Sequence, residues 1–162
     1  MKDRAINPSP AAIPPIEQLV PHAAPMILLD RVLNVDAETL RAEVKIRPDS
    51  LFHEGDGVGS WVGIEYMAQA IAAYAGYQSR LLGQSAKIGF LLGSRRYECA
   101  QPVFATGSTL HVTVQLLLKA DNGLGSFACT ITDQQSQQQL AQATVSVFEP
   151  HDASQFLEGS ME

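Results

Sequence analysis

The sequence SWVGIEYMAQAIAAYAGYQSRLL, residues 60–82, is the one long segment of this chain with helical periodicity. Apolar residues recur three and four positions apart, which predicts a helix over about Ser60 to Leu82. One face carries Ile64, Met67, Ala68, Ile71, Ala72 and Ala75. Because Tyr66, Tyr74 and Tyr77 cover much of the remaining surface, we expect the helix to be buried nearly all round. A sheet must therefore wrap it.

The segments on both sides of the helix have the period of β-strands. Two strands are predicted before it, over residues 26–33 and 40–46. Four are predicted after it, over residues 87–92, 110–118, 127–131 and 144–148, with Asp121-Asn122-Gly123 as a hairpin turn. One buried helix followed by a run of antiparallel strands indicates the α+β class.

The proline distribution divides the chain. Six of the nine prolines lie within the first 25 residues, which excludes a regular helix or a central strand there. We therefore expect a proline-rich extended arm over residues 1–18, one domain over residues 19–150 and a polar tail over residues 151–162.

Composition excludes several classes of function. Eleven Lys and Arg against seventeen Asp and Glu give a net charge of −6, and the basic residues are scattered, so nucleic acid is not an expected partner. The longest apolar region, Trp61 to Ala75, is interrupted by Glu65 and Gln69, so neither a membrane span nor a signal segment is expected. We expect a cytoplasmic protein.

The two cysteines give no sign of a metal site. Cys99 and Cys129 lie thirty residues apart, with no Cys-x-x-Cys motif and no cluster of histidines. This pattern favours two buried, reduced thiols over a disulfide framework or a zinc site.

Residues 52–65, FHEGDGVGSWVGIE, concentrate the chemically useful groups. His53 stands in a glycine-rich loop, and Glu65 lies on the first turns of an otherwise apolar helix face. A carboxyl beside a histidine is a pairing that performs acid and base catalysis near neutral pH. The alternative is a solvated histidine and a glutamate that interacts with the helix dipole. The other histidines have weaker claims: His22 stands between Pro21 and two alanines with no carboxylate nearby, His111 is on the polar face of a predicted strand, and His151 is in the tail.

Four stretches of the chain resemble a known family. They are residues 19–32, LVPHAAPMILLDRV, then Phe52-His53, then residues 64–70, IEYMAQA, and residues 90–93, FLLG. In this order they resemble the 3-hydroxyacyl-acyl carrier protein dehydratases, and most closely the small dehydratases associated with aryl-polyene pathways. The resemblance runs from about Leu19 to Phe148 and implies the hotdog fold, in which a sheet wraps a long helix.

The resemblance also implies a mechanism that needs no metal or other cofactor. His53 would remove the proton α to a thioester carbonyl, and Glu65 would give a proton to the departing 3-hydroxyl. Backbone N–H groups of Ser60 and Trp61 would stabilise charge on the thioester oxygen. Gly63 and Gln69 would line the substrate tunnel, although a glycine required only by packing is an equally simple interpretation of Gly63.

The same resemblance implies a site shared between two chains, in a homodimer or in a heterodimer with a related dehydratase. The substrate would be carried by an acyl carrier protein, which is acidic and would need a basic landing surface, for which the candidates are Arg80, Lys87, Arg95 and Arg96.

Two alternatives stay open. The family usually has a His-Phe-Pro loop and a Pro-Gly pair before the helix, whereas this chain has His53-Glu54-Gly55 and Gly59-Ser60. A weakly active or non-catalytic partner subunit would explain that change. A hotdog hydrolase, with Glu65 activating water against the thioester carbon, is the other alternative.

Overall fold

The computed structural model describes residues 13–84 and 89–150 of the chain. Its α-helix, α1, spans Gly63–Leu81 and follows a 3-10 helix at Ser60–Val62. Its strands are β1 (Arg31–Val35), β2 (Thr39–Lys45), β3 (His53–Glu54), β4 (Gly57–Gly59), β5 (Phe90–Cys99), β6 (Val103–Ala105), β7 (Thr109–Lys119), β8 (Leu124–Asp133) and β9 (Gln139–Phe148).

Six strands form one antiparallel sheet in the order β1-β2-β7-β8-β9-β5, and α1 packs against it. Ala42 pairs with Val112, Val112 with Ile131, and Ile131 with Ala141, and every member of this row is buried. A slip of one residue in any strand would turn its apolar side chains away from the helix. The alternating pattern of the sequence therefore fixes the register on which the core depends.

The helix is enclosed as the sequence predicts. No residue from Gly63 to Ser79 is exposed, and α1 ends at Leu81, one residue before the predicted end. The half-buried residues of α1 are Ile64, Glu65, Ala68, Ala72, Ala75, Tyr77 and Gln78, and the first five form a stripe along residues 64–75. Apart from Glu65, this stripe is apolar.

The prediction of a glycine-rich loop around His53 is wrong, because His53–Glu54 and Gly57–Gly59 form the short strands β3 and β4. His53 pairs with Val58, and Val58 pairs with Phe104, which gives a second sheet of order β3-β4-β6. A Cβ at Gly57 would lie 2.0 Å from the Phe104 carbonyl oxygen, so the strands approach more closely than a side chain permits. Two-residue and three-residue strands are too short to give a periodic signal in the sequence.

Strand bounds also differ from the prediction. The first strand begins at Arg31 instead of residue 26, and β5 continues to Cys99, seven residues beyond its predicted end. The run Gly93-Ser94-Arg95-Arg96 has no apolar alternation because β5 is an edge strand, paired only with β9, and its side chains there are exposed. Residues 85–88, which include part of the predicted strand, lie outside the described residues.

The core extends into the segment for which an extended arm is predicted. Ile16 and Leu19 are buried, and Ile16–Gln18 form a 3-10 helix. The backbone at Leu19 crosses α1 at Gly76, where a Cβ would lie 1.9 Å from the Leu19 carbonyl oxygen. The folded domain therefore begins before residue 19, while residues 1–12 and the predicted tail, 151–162, lie outside the described residues.

The two cysteines have different environments. Cys129 is buried as predicted, and burial raises the pKa of its thiol to about 12. Cys99 is exposed at the end of the edge strand β5, so the prediction of a buried thiol there is wrong. Within residues 13–84 and 89–150, no helix is long and apolar enough to cross a membrane.

Candidate active site

Gln69 is a fully buried polar side chain in the middle of the core. Its Oε1 accepts a hydrogen bond from the Leu28 amide at 2.9 Å, and its Nε2 donates to the Met26 carbonyl at 2.7 Å. The second Nε2 hydrogen is donated to Glu65 Oε1 at 3.1 Å, one helical turn away. A buried amide with every donor satisfied is both stable and fixed in position.

The backbone partners decide which way this amide points. An amide N–H is only a donor and a carbonyl is only an acceptor, so Leu28 must face the oxygen of Gln69 and Met26 must face its nitrogen. The group that reaches Glu65 is therefore the NH₂ group. Oε1 of Glu65 is held as an acceptor, and the acid proton of a neutral Glu65 belongs on Oε2.

His22, for which the sequence alone gives only a weak claim to function, lies beside Oε1 of Glu65. Nε2 of His22 lies 3.8 Å from Glu65 Oε1, and both side chains are about one-third exposed, at 30% and 36%. The prediction that His22 has no carboxylate nearby is wrong, because the two residues are far apart in sequence and meet only through the fold. The resemblance of residues 19–32 to the family was the one signal available for it.

His53 is held by a different group. Its Nε2 lies 2.7 Å from Thr106 Oγ1, and that hydroxyl donates its only hydrogen to the Asp56 carbonyl at 2.9 Å. Thr106 must therefore accept from His53, which places the ring proton on Nε2. The lone pair is left on Nδ1, so Nδ1 is the atom of His53 that is able to act as a base.

One chain does not bring the two predicted catalytic residues into contact. His53 is on the small sheet and Glu65 is on α1, and within the described part of the chain no hydrogen bond or ion pair joins them. A cavity of about 600 Å³ lies beside the C-terminal half of α1, and another of about 250 Å³ lies beside Tyr66 and Asp30. Neither cavity is lined by His53 or Glu65.

The start of the helix carries the predicted oxyanion groups. The Ser60 amide donates to the Pro102 carbonyl at 2.9 Å, and the Ser60 carbonyl accepts from the Tyr97 hydroxyl. Ser60 is thus bonded to the protein through both its amide and its carbonyl, so its amide hydrogen is already donated within the chain. Burial raises the pKa of Tyr97, so its hydroxyl stays a neutral donor.

Gly63 and Gln69 do not border open space in the single chain. A Cβ at Gly63 would lie 2.1 Å from the Tyr97 hydroxyl oxygen and 3.0 Å from Ile131 Cδ1. This crowding corresponds to the packing interpretation of Gly63. Gln69 is likewise enclosed, and its amide holds Glu65 and the segment around Met26 in place.

Two exposed aromatic rings flank the predicted site. Trp61 is 66% exposed and packs edge-on against Phe52, with ring centroids 5.5 Å apart. Phe52 has a φ of 69°, an unfavourable conformation for a residue with a Cβ. An exposed pair of large apolar rings marks a surface that is suited to contact with another molecule.

Comparison with known proteins identifies the family. A sequence model of the ApeP-like family, described as ApeP dehydratase, matches residues 14–158. The chain belongs to the ApeP-like dehydratase family. A solved chain of the dehydratase heterocomplex ApeI:P from Xenorhabdus doucetiae is 31% identical, with a TM-score of 0.81 over 89% of this chain and 96% of that chain. No curated protein matches the chain.

More distant structures share the fold alone. A hypothetical thioesterase from Streptococcus pneumoniae TIGR4, solved with coenzyme A, is 13% identical, with a TM-score of 0.58 over 74% of this chain and 84% of that chain. The PaaI protein from the phenylacetic acid degradation operon of E. coli is 17% identical, with a TM-score of 0.56 over 73% and 77%. The predicted hotdog fold and the predicted dehydratase family are both confirmed.

The described residues of this ApeP-like dehydratase contain no group of three or more histidine, cysteine or acidic side chains arranged to hold a metal ion.

Substitution of Gln69 tests whether its amide holds the site together. Gln69→Leu leaves the Leu28 amide and the Met26 carbonyl without their partner, so we expect the free energy of unfolding to fall by about 2–4 kcal/mol. The matched control is Gln78→Leu on the same helix, where a half-buried Gln78 Nε2 donates to the Asp36 carbonyl. Its loss should be below about 1 kcal/mol in urea unfolding. Equal losses in the two variants would contradict the role given to Gln69.

Proposed function

We propose that this chain dehydrates 3-hydroxyacyl thioesters to trans-2-enoyl thioesters in a site formed with a second chain. The observation that carries the proposal is the position of Glu65. Its carboxyl is the one polar group on the half-buried stripe of α1, and a fixed buried amide holds one of its two oxygens. A carboxyl whose second oxygen is left for the substrate is prepared to act as an acid.

In a homodimer, His53 of one copy and Glu65 of the other make the two proton transfers of the reaction, and in a heterodimer a histidine of the related dehydratase takes the place of His53. Nδ1 of His53 takes the proton from C2 of the substrate, and the electrons of that C–H bond move towards the thioester oxygen. They return to form the C2–C3 double bond as the C3–O bond breaks, and Oε2 of Glu65 gives its proton to the departing hydroxyl, which leaves as water. His53 then gives its extra proton to solvent, and Glu65 takes up a proton from solvent.

Charge that develops on the thioester oxygen requires a donor. We assign this role to the Trp61 amide at the start of the helical segment, where the helix dipole favours negative charge. In this proposal the Ser60 amide keeps its bond to Pro102 and fixes the position of its neighbour. Loss of such a backbone donor costs roughly 3 kcal/mol in other enzymes.

Several surface features support a site between two chains. The stripe around Glu65 is apolar and only half covered, and the rings of Phe52 and Trp61 are exposed beside it in the sequence. The edge strand β5 exposes Leu91 and Leu92 near its start, and exposed apolar side chains on an edge strand suit contact with another chain. A second chain covering these features would bring a histidine towards Glu65.

We propose a related dehydratase chain as the partner in preference to a second copy of this chain. The support is the likeness to the heterocomplex from Xenorhabdus doucetiae, whose dehydratase is built from ApeI and ApeP. A homodimer is the alternative. The cytoplasm remains the proposed location, on the sequence argument alone.

Paired substitutions test the two assigned roles. In a homodimer we expect Glu65→Gln and His53→Ala each to lower the hydration rate of a trans-2-enoyl thioester by about 10²-fold or more, because each removes a proton-transfer group from every site. In a heterodimer each substitution removes a group from a different one of the two sites. Hydration and dehydration are followed by absorbance and by mass spectrometry, for the chain alone and with the related dehydratase. The matched control is Glu54→Gln, an exposed carboxyl next to His53, which should retain its rate.

Mixing the variants distinguishes the possible assemblies. If the active unit is a homodimer with a shared site, His53→Ala and Glu65→Gln proteins should regain activity together once subunit exchange is shown by tagged pull-down. If it is a heterodimer, activity should require the related dehydratase. Full activity of Glu65→Gln in every combination would refute the assignment of Glu65.

The same assay separates the two alternatives. A chain that supports its partner only through Glu65 would tolerate His53→Ala in the heterodimer, and the departure of the His53 loop from the family pattern favours this as the second candidate. A hydrolase would release a free thiol and a carboxylic acid instead of an enoyl thioester. The thioesterase structures do not favour it, because their identity to this chain supports the fold alone.

For the carrier of the substrate we propose an acyl carrier protein. Arg80, at the end of α1, and Arg95 and Arg96, on β5, are exposed and form no ion pair among the residues that the structure describes. By contrast, Arg31, Lys45 and Arg47 all pair with acidic residues. The fourth candidate, Lys87, lies outside the described residues. Free arginines on a chain of net charge −6 are available for an acidic partner.

Salt dependence tests the carrier. We expect KM for a carrier-protein thioester to rise several-fold from about 0.1 M to about 1 M salt, where the Debye length falls from roughly 10 Å to roughly 3 Å. The double variant Arg95→Gln/Arg96→Gln should raise KM at low salt and flatten this dependence. Arg41→Gln, at an exposed arginine that contacts Thr113, should change neither quantity. A KM unaffected by salt would indicate a coenzyme A thioester instead.

A further inference from the structure

His22 reaches Glu65 because the chain before β1 is fastened to α1 at two points. The backbone at Leu19 is seated on Gly76, and the backbone at Met26 and Leu28 is bonded to Gln69. The residues between these points form a loop that carries His22 to the carboxyl one turn before Gln69. The location of His22 is therefore set by contacts that do not involve its own ring.

The two ring nitrogens of His22 have different surroundings. Nδ1 is buried and has no hydrogen-bond partner within the described residues, whereas Nε2 faces Glu65 Oε1 at 3.8 Å. A buried N–H without an acceptor is more costly than a buried lone pair, so the proton belongs on Nε2. A doubly protonated ring would bury an unpaired N–H at Nδ1, and the neutral ring avoids this.

We propose that His22 is a positioning residue for Glu65, acting as a neutral N–H donor towards Oε1. This inference rests on the proposed function. His22 and Gln69 would then both donate to Oε1 of Glu65. Because Oε1 is the acceptor, the acid proton of a neutral Glu65 is placed on Oε2. At 3.8 Å a small movement of either side chain, or one bridging water, completes the contact.

His22 keeps its own proton throughout the reaction. When Oε2 gives its hydrogen to the departing hydroxyl, negative charge appears on a carboxyl whose Oε1 is bonded to Gln69 and lies 3.8 Å from Nε2 of His22. These donors strengthen as the charge develops, which lowers the barrier of the chemical step more than it strengthens substrate binding. Loss of His22 should therefore lower kcat and leave KM nearly unchanged.

Three variants test this prediction in the active assembly of the full chain. We expect His22→Phe, which keeps a ring and removes the donor, to lower kcat about tenfold and to leave KM within about twofold. His22→Gln returns an N–H donor near the position of Nε2 and should recover kcat to within about threefold of the original. His111→Phe, the same change at a histidine on β7, should leave both constants unaltered.

NMR of the ring nitrogens gives a readout that is independent of activity. With ¹⁵N-labelled histidine, His22→Gln assigns the His22 signals, which should show a protonated Nε2 and an unprotonated Nδ1. Glu65→Gln should shift the Nε2 signal and leave the His111 signals in place. A protonated Nδ1, an unchanged kcat in His22→Phe, or a His22→Gln as slow as His22→Phe would overturn the proposal.

The outcomes separate this inference from the proposed function. If Glu65→Gln retains full activity but shifts the Nε2 signal of His22, the contact exists and Glu65 is not the acid. If Glu65→Gln is inactive and His22→Phe is as fast as the original, Glu65 is the acid and His22 does not position it.

Discussion

The buried amide of Gln69 is the interaction on which the site depends. Its oxygen and one of its hydrogens bind the backbone on either side of Ile27, which fastens the chain before β1 onto the central helix. Its remaining hydrogen is thereby directed at Glu65. One side chain thus couples the packing of the core to the chemistry of the carboxyl, because the same bonds that satisfy a buried polar group decide which carboxyl oxygen stays free. The approach of His22 to Glu65 follows from the same attachment.

The elements with strong periodicity were predictable from the sequence, and the contacts between distant segments were not. The buried helix and the hairpin at Asp121-Asn122-Gly123 are confirmed, because spacing of apolar residues and turn composition are local properties. The pairing of His22 with Glu65 and the bonds of Gln69 span about forty residues. The strands around His53 were missed because glycines and two-residue strands carry no alternation. Cys99 was misjudged because an edge strand exposes residue types that are usually buried.

In the proposed function this chain supplies half of a site. Glu65 lies on the half-buried stripe of α1, and His53 is hydrogen-bonded to Thr106 on a separate small sheet. In this chain Gly57 allows β4 to approach β6 closely, because a Cβ there would lie 2.0 Å from the Phe104 carbonyl oxygen. Pairing of these short strands restrains the backbone around His53, as prolines would do by fixing φ. The altered motif is therefore compatible with a histidine of fixed orientation.

Oε1 of Glu65 is held by Gln69, and in the proposed reaction Oε2 acts on the substrate. The most direct measurement is a crystal structure of the active assembly with an unreactive analogue, in which the thioester of a 3-hydroxyacyl substrate is replaced by an amide. We expect the 3-hydroxyl oxygen within about 3.0 Å of Oε2, with Oε1 still bonded to Gln69. A 3-hydroxyl that contacts another side chain, or a Glu65 that has left Gln69, would contradict it.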